Sequence, residues 1–236
     1  MERKSISFVL PAYNEQENIE KAVRSMLEVA ESLDIDDYEV IIVDDGSSDR
    51  TGEIIDRLKD ENPHVIPIHH PTNLGYADAL RTGFTGAKCN LVFYTDSDLQ
   101  FDVREVKNLL PAIEDYDIVT GFRIYRYDPL TRLLLAWGYN LIARTIFRLR
   151  VRDIDCAFKL FRREVFDVIK IRSKKFFVDT EILAKARYHG FRMTEVGVRH
   201  YPRAGGTSTV RPSHVASTLR ELAKMWLEIY LGVGRK

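Results

Sequence analysis

Four near-continuous apolar runs of strand length, at residues 6–10, 40–43, 65–68 and 91–94, alternate with segments of helical period. Between the first two, Ile19, Val23, Met26, Leu27 and Ala30 recur at helical spacing, and helices are expected again over residues 51–58 and 76–87. Strands and helices alternating in this way predict a doubly wound α/β sheet with helices packed on both faces. One more strand is expected at residues 118–120, after which the alternation loosens into an Arg-rich helical stretch reaching about residue 150. No internal repeat, low-complexity segment or linker marks a second independent domain. The expectation is therefore a main domain over residues 1–212 followed by an amphipathic helix over residues 213–236. A hydrophobic content of 45% over 236 residues is enough to build the core of such a unit.

Sheets of this kind bind ligands beyond the carboxyl ends of their strands. The segments just after the four runs are Pro11-Ala12-Tyr13-Asn14-Glu15, Asp44-Asp45-Gly46-Ser47-Ser48-Asp49, Asn73-Leu74-Gly75 and Asp96-Ser97-Asp98. All are polar, and three carry carboxylates. Asp96 and Asp98, one residue apart, concentrate negative charge at the open end of the sheet. A hard divalent cation, Mg²⁺ or Mn²⁺, bound by one or two carboxylates and completed by phosphate oxygens would balance it and neutralise a diphosphate leaving group. The same tripeptide also reads as a polar turn capping the next helix.

Taken in order, these four motifs, the last continuing through Leu99 and Gln100, resemble the family 2 glycosyltransferases of the GT-A fold. The resemblance implies a Rossmann-like nucleotide-diphospho-sugar transferase sheet. It implies that Pro11, Tyr13 and Glu15 line the nucleotide pocket, that Asp45 hydrogen-bonds the base, and that Gly75, Asp96 and Ser97 belong to the same cradle. Asp98 becomes a metal ligand with Asp96 and Gln100 beside it.

In the second half, Gly121-Phe122-Arg123, the run from Asp153 to Phe161, and His200-Tyr201-Pro202-Arg203 followed by Gly206-Thr207-Ser208 narrow the resemblance. They are similar to dolichyl-phosphate mannose synthase, dolichyl-phosphate glucosyltransferase and bacterial polyprenyl-phosphate relatives, with Ala157 standing where a glycine is common. The resemblance implies inverting transfer of a hexose, from a donor of GDP-mannose or UDP-glucose type, to a polyprenyl or dolichyl phosphate. Residues 121–152 contain Arg123, Arg126, Arg132, Arg144, Arg148, Arg150 and Arg152 against Asp128 alone. Guanidinium forks match phosphate oxygens, and Arg123 and Arg132 are the residues expected to hold the acceptor. Residues 144–152 read better as a solvated or lipid-facing surface.

A phosphate monoester, with a second pKa of about 6, is largely deprotonated at neutral pH and needs no strong base. A sugar hydroxyl does need one. Asp179, ahead of the helical stretch ending near Gly190, and Asp153 are the candidates, and by the resemblance Asp153 is expected to orient an arginine or the acceptor more than to take a proton. Both also read as ion-pair partners or helix caps. Arg203 and the Gly205-Gly206-Thr207-Ser208 stretch resemble a loop that closes over the donor.

Charge and cysteine usage bound the partners. Thirty-five basic residues balance 35 acidic ones, so no nucleic-acid partner is expected. Cys89 and Cys156 lack metal-ligand spacing and cannot form a disulfide framework, and the N-terminal residues lack the apolar region of a signal peptide. These features lead us to expect a cytoplasmic protein, peripheral on the cytoplasmic membrane face. Val215, Leu219, Leu222, Trp226, Ile229 and Tyr230 form an apolar helical face, expected to cover the domain, dock on the membrane or meet a membrane-embedded partner subunit. Two rival readings share the donor motifs: a glycosyltransferase with a soluble sugar or protein acceptor, and a non-catalytic nucleotide-sugar binding subunit.

Overall fold

The apolar runs become parallel strands because successive side chains find cover on opposite faces. In the computed structural model, which describes residues 4–125, 130–173, 177–202 and 215–232, β1 (Ser5–Ala12), β2 (Asp37–Asp44), β3 (Val65–His69) and β4 (Leu91–Thr95) pair in parallel, in the order β3-β2-β1-β4. Ile6, Phe8, Leu10, Leu91 and Phe93 enter one core, while Val9, Val92 and Tyr94 enter the other, the period of two expected of a pleated strand. α1 (Ile19–Ser32) and α2 (Thr51–Glu61) cover the first face through Val23, Met26, Ile55 and Leu58, and α3 (Tyr76–Gly86) covers the second through Leu80 and Phe84.

The rest of the sheet departs from a purely parallel winding. β5 (Ile118–Arg123) runs parallel to β7 (Met193–Val198), and β6 (Phe158–Arg162) lies between β4 and β5, antiparallel to both. Among the described residues the complete order is β3-β2-β1-β4-β6-β5-β7. The expected α/β sheet with helices on both faces is present, with one inverted strand that the sequence pattern does not reveal. Lys159 interrupts the apolar pattern of that strand, yet its side chain is fully buried. Because β6 inverts, β4 and β5 point the same way, and the residues after Thr95 and those around Arg123 emerge at one edge.

Four further helices close the second half: α4 (Leu130–Phe147), α5 (Glu164–Val168), α6 (Val178–Tyr188) and α7 (Val215–Leu231). α7 buries Leu222, Met225 and Ile229 in the core that also holds Val9 and Tyr94, so it covers the domain. Burial of this kind contributes about 1.5–3 kcal/mol per large apolar side chain. Trp226, expected on the same face, is 37% exposed, and the side chains of Val215 and Leu219 lie outside the described residues. α4 buries Ala143 and Phe147 but leaves Leu134 and Trp137 67% and 65% exposed, with Leu141 also outward. Among the described residues no helix is long and apolar enough to cross a membrane.

Candidate functional site

On the donor side, the strand ends are tied to one another by short polar contacts. Pro11 is buried near the end of β1, and its carbonyl accepts from the Ser97 hydroxyl at 3.0 Å. Tyr13 stands 49% exposed just beyond the strand. Glu15 accepts from Asn18 Nδ2 at 2.7 Å, while its amide donates to Thr51 Oγ1 at 2.8 Å. Asp45, 3% exposed, accepts from the amides of Leu74 at 2.9 Å and Gly75 at 2.8 Å, and lies 2.7 Å from His70 Nδ1. The carboxylate expected to meet a base thus also braces the turn ahead of α3. Gly75 has φ +100°, in a region open chiefly to glycine. At Gly46, φ +68°, an added Cβ would lie 2.3 Å from the Thr72 carbonyl carbon, so only glycine lets the two loops touch.

The acidic pair sits at the centre of this edge. Asp96 and Asp98 are both partly buried. The Tyr76 hydroxyl donates to Asp96 Oδ1 at 2.9 Å, and the Gln100 amide donates to Asp98 Oδ1 at 3.1 Å. Between them Leu99 adopts φ +59°, a conformation that costs a non-glycine residue about 1–3 kcal/mol and that clusters at functional sites. After this bend Gln100 pairs with Tyr201: its carbonyl accepts from the Tyr201 amide at 2.8 Å and its Nε2 donates to the Tyr201 carbonyl at 3.0 Å. Gln100, expected beside a metal, therefore anchors the segment that leads toward Arg203. Arg203 and residues 205–208 lie outside the described residues.

Burial, then the neighbouring Asp98, pushes the Asp96 carboxyl up to about 7, against the opposing hydrogen bond from Tyr76. Oxygen donors crowded by their own charge suit a hard divalent ion. Among the described residues no group of three or more His, Cys, Asp or Glu could hold a metal by itself. A cation at Asp96 and Asp98 would take further ligands from phosphate, water or a neighbouring oxygen such as Gln100 Oε1.

A further network, which the sequence pattern does not announce, links β4, β6 and α6. Lys159 Nζ donates to Asp179 Oδ1 at 2.6 Å, to the Cys156 carbonyl at 2.5 Å and to the Tyr94 hydroxyl at 3.1 Å, and Tyr94 in turn donates to Asp179. Asp179, expected as a base candidate ahead of a helix, lies instead in the first turn of α6 at 5% exposure. It is the counter-ion of a buried lysine, with one oxygen occupied. That arrangement suits holding charge better than collecting a substrate proton.

On the acceptor side, Arg123 closes β5 and meets Asp153 in a fork, Nε to Oδ2 and Nη2 to Oδ1, both at 2.7 Å, with side chains only 10% and 8% exposed. Asn140 of α4 sets the height of the Asp153 loop by accepting from the Ile154 amide at 2.8 Å. Arg123 and Asp153 line a cavity of about 240 Å³ with Phe122, Trp137, Arg144 and Arg152. Arg152 lies over the Phe122 ring at 4.1 Å and pairs with Glu195. Arg144 and Arg152, expected on a solvated surface, therefore share the cavity with Arg123. The Arg132 side chain and Arg126 lie outside the described residues. Asp155, between the two ion pairs in sequence, has a buried Oδ1 with no hydrogen-bond partner among the described residues, and burial followed by Asp179 and Asp153 pushes its carboxyl up to about 7.

A braced glycine turn, an acidic pair and a basic cavity lie along the carboxyl edge of the sheet, where doubly wound α/β proteins bind their ligands. The chain belongs to glycosyl transferase family 2, which matches residues 7–170. It is 34% identical over 234 residues to glycosyltransferase AglD of Haloferax volcanii, covering 95% of this chain and 37% of that protein. It is 31% identical over 208 residues to the undecaprenyl-phosphate 4-deoxy-4-formamido-L-arabinose transferase of Salmonella choleraesuis, covering 87% of this chain and 62% of that one. The chain thus spans from about one third to under two thirds of the length of these relatives. Its fold is shared with glucosyl-3-phosphoglycerate synthase of Mycobacterium tuberculosis, solved with Mn²⁺, UDP and glucosyl-3-phosphoglycerate, at a TM-score of 0.69 and 18% identity over 96% of this chain and 80% of that one. The same enzyme solved with Mg²⁺ and UDP gives a TM-score of 0.67 at 17% identity, over 96% of this chain and 79% of that one. The GT-A fold expected from the motifs is therefore the fold of the chain.

Proposed function

We propose that this chain transfers a hexose, with inversion, from a nucleotide diphosphate sugar to a polyprenyl or dolichyl phosphate. The observation that carries the reading is the shared edge: β4 and β5 run the same way, so the acidic pair and the Arg123–Asp153 fork emerge at the same edge of the sheet with one strand, β6, between them. On this reading Pro11, Tyr13, Glu15 and Asp45 hold the nucleoside, and Gly75 and Ser97 complete its cradle. Asp96 and Asp98 hold Mg²⁺ or Mn²⁺, which when bound supplies charge neutralisation at the diphosphate.

The acceptor's phosphate oxygen reaches the site already largely ionised, so what it needs is orientation. Asp153 uses two N–H groups of Arg123 and leaves the others to a phosphate. Arg144, without an acidic partner among the described residues, lines the same cavity, and Trp137 supplies an apolar wall for the first carbons of a lipid. Asp179, engaged by Lys159, has little freedom to serve as the base that a sugar hydroxyl would require. The Salmonella relative, named for an undecaprenyl-phosphate substrate, supports the lipid-phosphate reading.

The outward stripe Leu134, Trp137 and Leu141 on α4, followed by Arg144, has the composition of a helix that lies in a lipid interface, which supports peripheral docking on the cytoplasmic face of a membrane. The test is to incubate the protein with Mn²⁺ or Mg²⁺, GDP- and UDP-hexoses labelled in the sugar, and a short polyprenyl phosphate. Label extracted with the lipid is the expected result. Label passing only to soluble sugars or proteins, or donor bound without turnover, overturns the reading.

A further inference from the structure

The stretch from His70 to Tyr76 joins two parts of the edge that are otherwise separate. At one end His70 is held between Asp45, 2.7 Å from its Nδ1, and Thr82 of α3, 3.0 Å from its Nε2. Asp45 then fixes the amides of Leu74 and Gly75. The next residue, Tyr76, begins α3 and donates its hydroxyl to Asp96 Oδ1 at 2.9 Å. The glycine before it, at φ +100°, sets the direction in which the helix and the phenol leave the turn. The link between the two ends of the donor site thus runs from His70 and Asp45, through the amides of Leu74 and Gly75, to Tyr76 and Asp96.

We propose that Tyr76 is a positioning residue for Asp96, and that the Asp45–His70 clamp sets where Tyr76 stands, so that the nucleoside end and the cation end of the site are aligned by one short piece of chain. The proposal rests on the reading of Asp96 and Asp98 as cation ligands. A phenol suits the task because it is a neutral donor. A lysine or arginine there would orient Asp96 equally well but cancel the charge that a divalent ion needs. The hydroxyl has one proton to donate, and it donates it to Asp96 Oδ1. It restrains Oδ1 and leaves the second oxygen of the carboxylate to a cation. Thr82 and His70 act further away, through the backbone of residues 74 and 75, so their effect should be smaller and in the same direction.

The experiment is to measure Mn²⁺ affinity, from the electron paramagnetic resonance signal of the free ion, with UDP or GDP at saturation, for the wild type, Tyr76→Phe and His70→Phe. Both substitutions keep a ring of similar volume, and thermal melts establish that each variant is folded. Losing one charge-assisted hydrogen bond is expected to weaken Mn²⁺ binding by about three- to tenfold in Tyr76→Phe, with about a two- to threefold loss in His70→Phe. A residue serving only stability would lower the melting temperature and leave Mn²⁺ affinity of the folded protein unchanged. Wild-type affinity in folded Tyr76→Phe overturns the proposal. Should Tyr76→Phe fail to fold, wild-type affinity in His70→Phe overturns the clamp on which it depends. If the wild type itself retains no Mn²⁺ with either nucleotide, the cation reading of the acidic pair fails first, and the proposal with it.

Discussion

On the donor half of the edge, Asp45 is satisfied by two backbone amides and a histidine, and Ser97 and Glu15 likewise contact backbone or short polar side chains. On the acceptor half, Asp153 and Asp179 each face a cation that is itself almost fully buried, Arg123 at 10% and Lys159 at 1% side-chain exposure. The first arrangement shapes loops and ties the strand ends to one another. The second fixes charges in pairs, which costs desolvation but holds a guanidinium in one orientation. Substitutions should therefore separate the two halves: donor-side changes should remove activity with little loss of stability, and acceptor-side changes should affect both.

The largest effect is expected for Asp98→Ala. Its side chain is partly exposed, so the melting temperature should change little, while transfer should fall by about 10²–10³-fold, the scale set by removing one electrostatic contact to a transition state. A single-turnover assay alongside a thermal melt checks both parts. A large stability loss with modest loss of transfer would place Asp98 with the structural carboxylates and erase the contrast.

Next comes the Arg123–Asp153 fork. Arg123→Met removes a buried guanidinium that pairs with Asp153 and should cost up to about 3–5 kcal/mol of stability as well as transfer. Adding Asp153→Leu should restore most of the stability by replacing the pair with apolar contacts, yet leave transfer to the lipid phosphate abolished. Denaturant titration and transfer assays on the single and double variants separate the two contributions. If the double variant regains transfer, Arg123 serves the fold alone.

Lys159 and Asp179 should behave as a pair that matters chiefly for stability. Lys159→Met is expected to destabilise by about 3–5 kcal/mol, and Lys159→Met with Asp179→Asn by much less, because no unpaired charge remains in the core. Asp179→Asn alone should retain at least about a tenth of wild-type transfer to a phosphate acceptor, since a proton-abstracting base contributes about 10²–10⁴-fold where one is needed. Near-complete loss of transfer with intact donor binding would restore Asp179 as a base and favour a hydroxyl acceptor.

What the amino-acid sequence makes legible follows the same division. Donor-side chemistry is contiguous: each strand is followed within a few residues by its polar motif, so Asp45, Asp96 and Asp98 stand out where the apolar runs stop. The acceptor side is assembled from distant pieces. Asp153 finds Arg123 across 30 residues and Asp179 finds Lys159 across 20, so the residue types are visible in the sequence and most pairings are not. Lys159 is hidden as a polar break in the pattern of β6, and Tyr76 as the first apolar residue of a helix. His70 lies just beyond a strand end but carries no spacing that distinguishes it from a turn residue. The orientation of β6 requires the pairing itself, because a five-residue strand has no local mark of direction.

Asp155, whose buried Oδ1 has no hydrogen-bond partner among the described residues, should affect stability and leave transfer least changed. Burial, then Asp179 and Asp153, push its carboxyl up to about 7 from an ordinary value of 3.8. Below about pH 4 both folded and unfolded chains carry this proton, and it contributes no slope. Between about pH 4 and pH 7 the folded chain retains a proton that the unfolded chain has released, so stability falls as pH rises, by at most about 1.4 kcal/mol for each unit of the shift. Above about pH 7 both states are ionised and the loss is constant. Asp155→Asn removes the titrating group while keeping its shape, so metal-free protein carrying it should match the wild type near pH 4 and be the more stable of the two at pH 8. Denaturant unfolding at the two pH values measures the difference, and parallel curves for the two proteins would mean that water or a neighbour already satisfies Asp155. A flattened slope in Asp155→Asn would instead assign this part of the pH dependence to the one buried carboxyl.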